Sequence, residues 1–293
     1  MNVGVIGAGA MGMGVVRSLL RAGFPTHVRE IRREAEAEAS RLGAVCHPSP
    51  AAMAAACPVV ILLVVDAAQI EAVIFGPGGA ASALRRDAIV VIGSTIAPGD
   101  VEALAARIAA DLVDAPVSGG PARAADGTMT MMVAGRAAAL DRLAPVLAAV
   151  AGKVFRVGLR PGEAAKFKVI NNLLAAVNLA ASAEAMALAA KAGLDPRLVR
   201  DVVNASSGGS WIFADRMARA LEGDYAPRAA TRILAKDARL AVDLAGDCGA
   251  PSTFALAARD AFAQAVAAGY GEQDDAAMYR FGRVRAGLPE DAG

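Results

Sequence analysis

The sequence predicts an α/β amino-terminal domain on a doubly wound parallel sheet, followed by an all-α carboxy-terminal domain. Three observations carry that prediction. Short apolar runs alternate with helical stretches through the first half of the chain, the pattern of βαβ units. One of these runs, Val59–Val65, is apolar throughout, as a strand buried on both faces must be. After about Arg160 the strand pattern stops and only helical stretches follow.

Val3–Ile6 reads as the first strand, followed by a glycine turn and a helix over Met11–Ala22. Thr26–Ile31 reads as the second strand and Glu34–Leu42 as a charged helix. Ile89–Ile92 and Leu112–Val113 continue the sheet, with a helix over Pro98–Ala110 between them. Thr128–Ala134 and Val154–Arg156 add strands at its far edge. Glu163–Ala192 then reads as one long helix. Pro196–Ser206, Trp211–Leu221, Ala229–Gly246 and Thr253–Ala268 read as four more. The domains are accordingly expected at residues 1–161 and 162–293.

Composition bounds the function. A chain of 293 residues suits two domains. Hydrophobic residues make up 56% but aromatics only 4%, so Ala, Val and Leu must fill the core. A net charge of +1 with no basic stripe argues against a nucleic-acid partner. A mean hydropathy of +0.43 raises the question of a membrane. The longest apolar stretch, Val169–Ala190, is interrupted by Asn171, Asn172, Asn178 and Glu184, so no bilayer span is expected. The first residues lack a basic leader, and Cys46, Cys57 and Cys248 lack CxxC or metal spacing. A cytoplasmic protein without a metal site is expected, with His27 and His47 as surface or internally satisfied residues.

Gly7-Ala8-Gly9-Ala10-Met11-Gly12 is a GxGxxG directly between a strand and a helix. The first glycine permits the tight turn, and the second lets backbone approach a pyrophosphate. The third allows close helix packing, while helix N–H groups face the phosphates. Glu30 ends the second strand, about 20 residues on, where a carboxylate accepts from ribose hydroxyls. The domain is therefore expected to be Rossmann-type, with NAD as cofactor. Arg29, Arg32 and Arg33 leave NADP open, because an arginine there could hold a 2′-phosphate. Val64 and Thr95 close two further strands at the same edge and are expected near the nicotinamide ribose.

Asp114-Ala115-Pro116-Val117-Ser118-Gly119-Gly120 follows another strand. Its Ser118-Gly119-Gly120 turn exposes backbone N–H groups in a nest suited to a carboxylate. On the long helix, Lys168, Asn171 and Asn172 are spaced i, i+3, i+4 and share a face. Asparagine twice in an apolar helix is unfavourable unless partners exist. Partial burial lowers a lysine pKa toward neutrality, which a general base needs. From spacing alone, Lys168 reads equally as a proton carrier or as a solvated charge. Trp211 and Phe213 read either as a cap on a substrate pocket or as core aromatics.

These motifs, together with Gly162–Asn172 and Lys236-Asp237, occur in the order found in the β-hydroxyacid dehydrogenases, and the chain resembles that family over nearly its whole length. The details around Lys166–Asn172, Ser210–Phe213 and Gly271–Asp275 are most similar to the L-threonate dehydrogenase branch. The resemblance implies a hydride transfer between NAD and a small hydroxy acid. It implies Lys168 as the catalytic lysine, with Asn171 and Asn172 positioning the substrate. Ser118, Gly119 and Gly120 would bind the substrate carboxylate, Thr95 would face the nicotinamide, and Lys236 would reach the cofactor with Asp237 orienting it. A homodimer or homotetramer is implied as well. Ala164 departs from the glycine of many members, which should shift the helix start only slightly. The competing readings are a 3-hydroxyisobutyrate or tartronate semialdehyde-type dehydrogenase, an imine reductase and a silent NAD-binding scaffold; Lys168 counts against the imine reductase, and Ser118, Lys168 and Asn172 together count against the scaffold.

Overall fold

In the computed structural model, which describes residues 1–291, the apolar runs of the first half become strands of one sheet. The last two residues of the expected helical domain, 292 and 293, lie outside the described residues. The elements run β1 (Val3–Ile6), α1 (Ala10–Arg21), β2 (Thr26–Arg29), α2 (Arg33–Arg41), β3 (Val45–Cys46), α3 (Pro50–Ala56), β4 (Val59–Leu62), α4 (Ala67–Phe75), β5 (Ile89–Ile92), α5 (Pro98–Arg107), β6 (Asp111–Asp114), β7 (Val117–Ser118), α6 (Gly120–Asp126), β8 (Met129–Ala134), α7 (Ala137–Val150) and β9 (Ala151–Gly158). After them come α8 (Glu163–Lys191), α9 (Pro196–Asn204), α10 (Trp211–Leu221), α11 (Thr231–Asp247), α12 (Thr253–Ala265) and α13 (Met278–Arg285). The chain divides into a unit of Met1–Lys168 and a second unit from Val169 onward.

In the first unit the sheet order is β3-β2-β1-β4-β5-β6-β8-β7, with β9 beside β8. From β3 to β6 every pairing is parallel. The central strands are buried at every position, and their side chains alternate between two cores. Val3, Val5, Val59, Ile61, Ile89 and Val91 enter one, together with Val15 and Leu19 of α1. Ile6, Val60, Leu62, Val90 and Ile92 enter the other, with Ile70 of α4 and Val101 of α5. Beyond β6 the sheet departs from the all-parallel expectation, because β8 runs antiparallel to β6 and β7. The chain passes from the Ser118–Gly120 turn through α6 into β8.

Several helix starts follow from local chemistry. Ser49 accepts from the Ala52 N–H ahead of Pro50, and Asp66 accepts from the Gln69 N–H. Asp195 and Ser210 do the same for Arg197 and Phe213. In the second unit α8, α10, α11, α12 and α13 enclose a core that includes Leu179, Met186, Met217, Phe262 and Tyr279. By length and composition α8 could cross a membrane. Its Ala176, Leu179, Ala183 and Met186 instead pack inside this core. Helical backbone continues past α12 into Val266–Tyr270 and breaks at Gly269, immediately after the expected end at Ala268. Phe213 is a core residue, whereas Trp211 is exposed.

Outside these cores, His27 of β2 and His47 just beyond β3 stack with ring centroids 5.1 Å apart. Their Nδ1 and Nε2 atoms lie 2.8 Å apart. Burial, and then the neighbouring His47, hold His27 below the ordinary histidine value. A histidine depressed in the folded state binds fewer protons than in the unfolded chain, so its contribution is present above the unfolded value and lost on acidification. The expected result is that Tm falls between about pH 7 and pH 5 more in the unaltered protein than in His27→Gln. Parallel Tm curves for the two proteins would remove the pair as the cause.

Candidate active site

The parallel register brings the functional loops to one edge of the first unit. Arg29, Ile6, Leu62, Ile92 and Asp114 stand at equivalent positions on adjacent strands. The glycine turn, Glu30, Val64, Thr95 and the loop to Ser118 each follow one of these residues, so they lie at the carboxyl ends of the strands. In open α/β sheets that is where ligands bind. β4 ends at Leu62, so Val64 sits in the loop beyond it.

The glycine turn packs tightly against its helix. A Cβ at Gly12 would fall 1.9 Å from the Gly7 carbonyl oxygen, so any side chain there would force turn and helix apart. Gly9 caps α1 with no side-chain hydrogen bond, which leaves the first N–H groups of the helix turned outward without an intrahelical partner. A groove of about 670 Å³ adjoins this turn, bordered by Gly9, Ala10, Arg17, Arg32, Glu38 and Pro121. Outward donors beside an open groove fit the phosphates and ribose of a dinucleotide.

Glu30 is buried at the end of β2. Its Oε1 accepts from the Ile31 and Arg32 backbone N–H groups, both at 2.9 Å. The Arg32 guanidinium reaches both carboxylate oxygens, at 3.3 and 3.4 Å, and donates to the Ala8 carbonyl at 3.2 Å. Burial pulls the Glu30 carboxyl upward. The hydrogen bonds and charge of Arg32 outweigh it and leave Glu30 below its ordinary value. Arg32 thus bridges Glu30 and the glycine turn, a clasp the local sequence did not reveal. Arg29 donates to the Glu30 carbonyl.

Ser118 closes β7, and Gly119 and Gly120 follow with φ of +135° and +76°. Two successive residues in that region turn their N–H groups to one side, and glycine adopts it without strain. Asp114, at the head of the same loop, is almost fully buried. Its Oδ2 accepts from the Gly162 N–H at 3.0 Å and the Ala165 N–H at 2.8 Å, where α8 begins. Lys168 lies one turn further along and is 7% exposed, so the solvated-charge reading of this residue does not hold. Lys166 is exposed and stands 3.9 Å from Glu102.

Lys168 and Asn172 are both buried, but Asn171 between them is exposed. The i+3 position has rotated out of the face that i and i+4 share. Asn171 still donates to the Asn172 Oδ1 at 3.0 Å. Asn172 donates in turn to Asp237 Oδ2 at 2.6 Å, and Asp237 Oδ1 lies 2.7 Å from the Lys236 ammonium. These four residues form a polar chain that runs from the exposed Asn171 through the buried Asn172 and Asp237 to the partly buried Lys236. The buried asparagine therefore has the partners that its place requires.

Residues 2–158 match the family described as the NAD binding domain of 6-phosphogluconate dehydrogenase. Residues 162–281 match that described as NAD-binding of NADP-dependent 3-hydroxyisobutyrate dehydrogenase. The chain is 46% identical over 282 residues to an L-threonate dehydrogenase of Cupriavidus necator, covering 95% of each. It is 42% identical over 283 residues to an L-threonate dehydrogenase of Escherichia coli, covering 95% of this chain and 94% of the other. A 3-hydroxyisobutyrate dehydrogenase structure from Salmonella typhimurium superposes with a TM-score of 0.90 at 41% identity, covering 96% of this chain and 99% of that one.

Proposed function

The chain belongs to the β-hydroxyacid dehydrogenase family, and from that premise we propose that it oxidises L-threonate, or a closely related sugar acid, with NAD. The observation that carries this reading is the meeting of three parts at one end of one sheet: the glycine turn, the Ser118–Gly120 turn, and the helix start that bears Lys168. The sugar acid is suggested by the identity to L-threonate dehydrogenases.

The backbone of Gly7, Ala8, Gly9, Ala10, Met11 and Gly12 would hold the pyrophosphate, and Glu30 the adenosine ribose. Val64, Thr95 and Lys236 are assigned to the remainder of the cofactor. When bound, the nicotinamide supplies the acceptor for the hydrogen that leaves the carbinol carbon with its electron pair. The N–H groups of the Ser118–Gly120 turn and the Ser118 hydroxyl receive the substrate carboxylate. Lys168 in its neutral form takes the hydroxyl proton. In the reductive direction the ammonium returns it and stabilises the developing alkoxide. Asn172, fixed by Asp237 and Asn171, keeps its amide in one orientation beside Lys168. Asn171 is proposed to reach the substrate from the exposed side. The proposed setting is the cytoplasm, with Cys46, Cys57 and Cys248 as free thiols. The exposed Ile170, Leu174 and Leu188 of α8 and Leu198 of α9 suit a homodimer or homotetramer.

The test follows NADH and NADPH formation with L-threonate, D-glycerate, 3-hydroxyisobutyrate, tartrate and 4-hydroxybutyrate. L-threonate with NAD is expected to give the highest kcat/KM. A buried Glu30 carboxylate repels a 2′-phosphate, so NADP should be disfavoured by about tenfold or more, roughly 1.4 kcal/mol. Glu30→Gln should narrow that gap. Equal use of both cofactors would shift selection to Arg32, and no turnover of any acid would overturn the substrate class.

A further inference from the structure

We propose that Asp114 is a positioning residue, whose carboxylate fixes the Lys168 helix to the carboxylate-binding turn and so sets the distance between base and substrate; the inference rests on Lys168 acting as the proton carrier. Asp114 is the last residue of β6 and the first of the loop that carries Ser118–Gly120. The same side chain reaches across 48 and 51 residues to the Gly162 and Ala165 N–H groups. One buried group thus joins the two loops that must hold the ends of one small molecule. Helix starts carry N–H groups without intrahelical partners, and a carboxylate satisfies them while opposing the positive end of the helix.

The surroundings argue that the charge serves the site rather than the fold. At its register Asp114 is flanked by Ile92 on β5 and Ala134 on β8, both apolar. From the α8 side it meets the backbone of Gly162, Ala164 and Ala165. The charged residues nearby are engaged elsewhere. Glu163 is bound to the Leu159 and Arg160 N–H groups and the Arg160 guanidinium. Glu102, which stands beside Gly162, faces Lys166. On the same strand Asp111 pairs with Arg136. Asp114 Oδ1 is buried with no hydrogen-bond partner. Burial pushes the Asp114 carboxyl up to about 6, against the hydrogen bonds from Ala165, Gly162 and Ala164. A carboxyl raised in the folded state stabilises the fold at low pH and loses that contribution as pH rises through the folded value. The ionised form is therefore a cost to stability. What it gives in exchange is a stronger hydrogen bond to each helix N–H, because charge-assisted bonds are about twice as strong as neutral ones.

The experiment measures kcat and KM in the reductive direction, from about pH 5 to pH 9, for the unaltered protein, Asp114→Asn and Asp114→Ala. Asparagine keeps an oxygen for Gly162 and Ala165 and mimics the protonated acid. Its kcat should lie about 3–10-fold below that of the unaltered protein at pH 8 and meet it below pH 6, where both side chains are neutral. Asp114→Ala should lose about 10–100-fold in kcat at every pH, the scale of an ångström-sized misplacement. NAD affinity by calorimetry should stay unchanged in both. A ratio between the unaltered protein and Asp114→Asn that is constant with pH would overturn the proposal, as would wild-type kcat in either variant. Should Asp114→Ala fail to fold, the Asp114→Asn ratio decides alone. Lys168→Ala is assayed alongside. If it retains turnover, the premise fails; if it is inactive while the Asp114 variants behave as wild type, this inference alone fails.

Discussion

Replacing Lys168 with alanine is expected to lower turnover by about 10²–10⁴-fold, the usual contribution of a positioned proton carrier. The loss should fall equally on kcat and kcat/KM, because a proton shared with the alkoxide exists only near the transition state. NAD affinity should be preserved, since the glycine turn and Glu30 belong to other loops of the sheet edge. The side chain is buried, so alanine also removes packing by its methylenes. Lys168→Met keeps most of that packing and should be just as slow. Turnover in Lys168→Met within a few-fold of the unaltered protein would assign the proton to another group. A loss confined to KM would make Lys168 a binding residue only.

The second large effect is expected within the helical unit. Arg216 of α10 reaches Asp275 through Nε to Oδ1 at 2.5 Å and Nη2 to Oδ2 at 3.2 Å, and it also pairs with Asp215. Beside it, Arg219 lies 3.0 Å from Asp274, whose other contacts tie the Arg228–Ala229 backbone to Ala276. Burial works against the Arg216 charge, but Asp275 and Asp215 outweigh it and hold the guanidinium above its ordinary value. Removing one partner of a buried pair strands the other charge, at a cost of about 3–5 kcal/mol. For a unit of this size, Arg216→Ala should lower Tm by about 10 °C or more, measured by circular dichroism. The double variant Arg216→Met with Asp275→Leu should recover most of the loss, because apolar replacement of both partners is often neutral. A double variant no more stable than Arg216→Ala would show that the pair itself, not an unpaired Asp275, holds α10 in place.

Features set by neighbours in sequence were legible before the fold. The glycine turn needs only its own six residues and the strand before it, and Glu30 needs only the end of the next strand. Features set by distant partners were not. Asp114 stood in plain view within its motif, yet its partners Gly162 and Ala165 lie far along the chain. A charged residue ending an apolar strand, Leu112-Val113-Asp114, is the one signal that could have marked it. The reversal of β8 was hidden because a strand reads the same in either direction. Helical spacing placed Lys168, Asn171 and Asn172 together, but it could not say which edge of that face would be covered. The Arg32 clasp lay in a charged run that is compatible equally with solvent, phosphate or carboxylate.

The distribution of aromatic rings has an optical consequence. The one tryptophan, Trp211, and all three tyrosines, Tyr225, Tyr270 and Tyr279, lie in the second unit. The first unit holds only phenylalanine: Phe24, Phe75, Phe155 and Phe167. Emission excited near 295 nm therefore comes from a single exposed indole beside Arg216, at the start of α10. The sheet and its nucleotide edge are dark at that wavelength. A melt followed by intrinsic fluorescence records the helical unit, whereas far-ultraviolet dichroism records both. The offset between the two curves is then a direct reading of whether the two units unfold as one, obtained without labelling the protein.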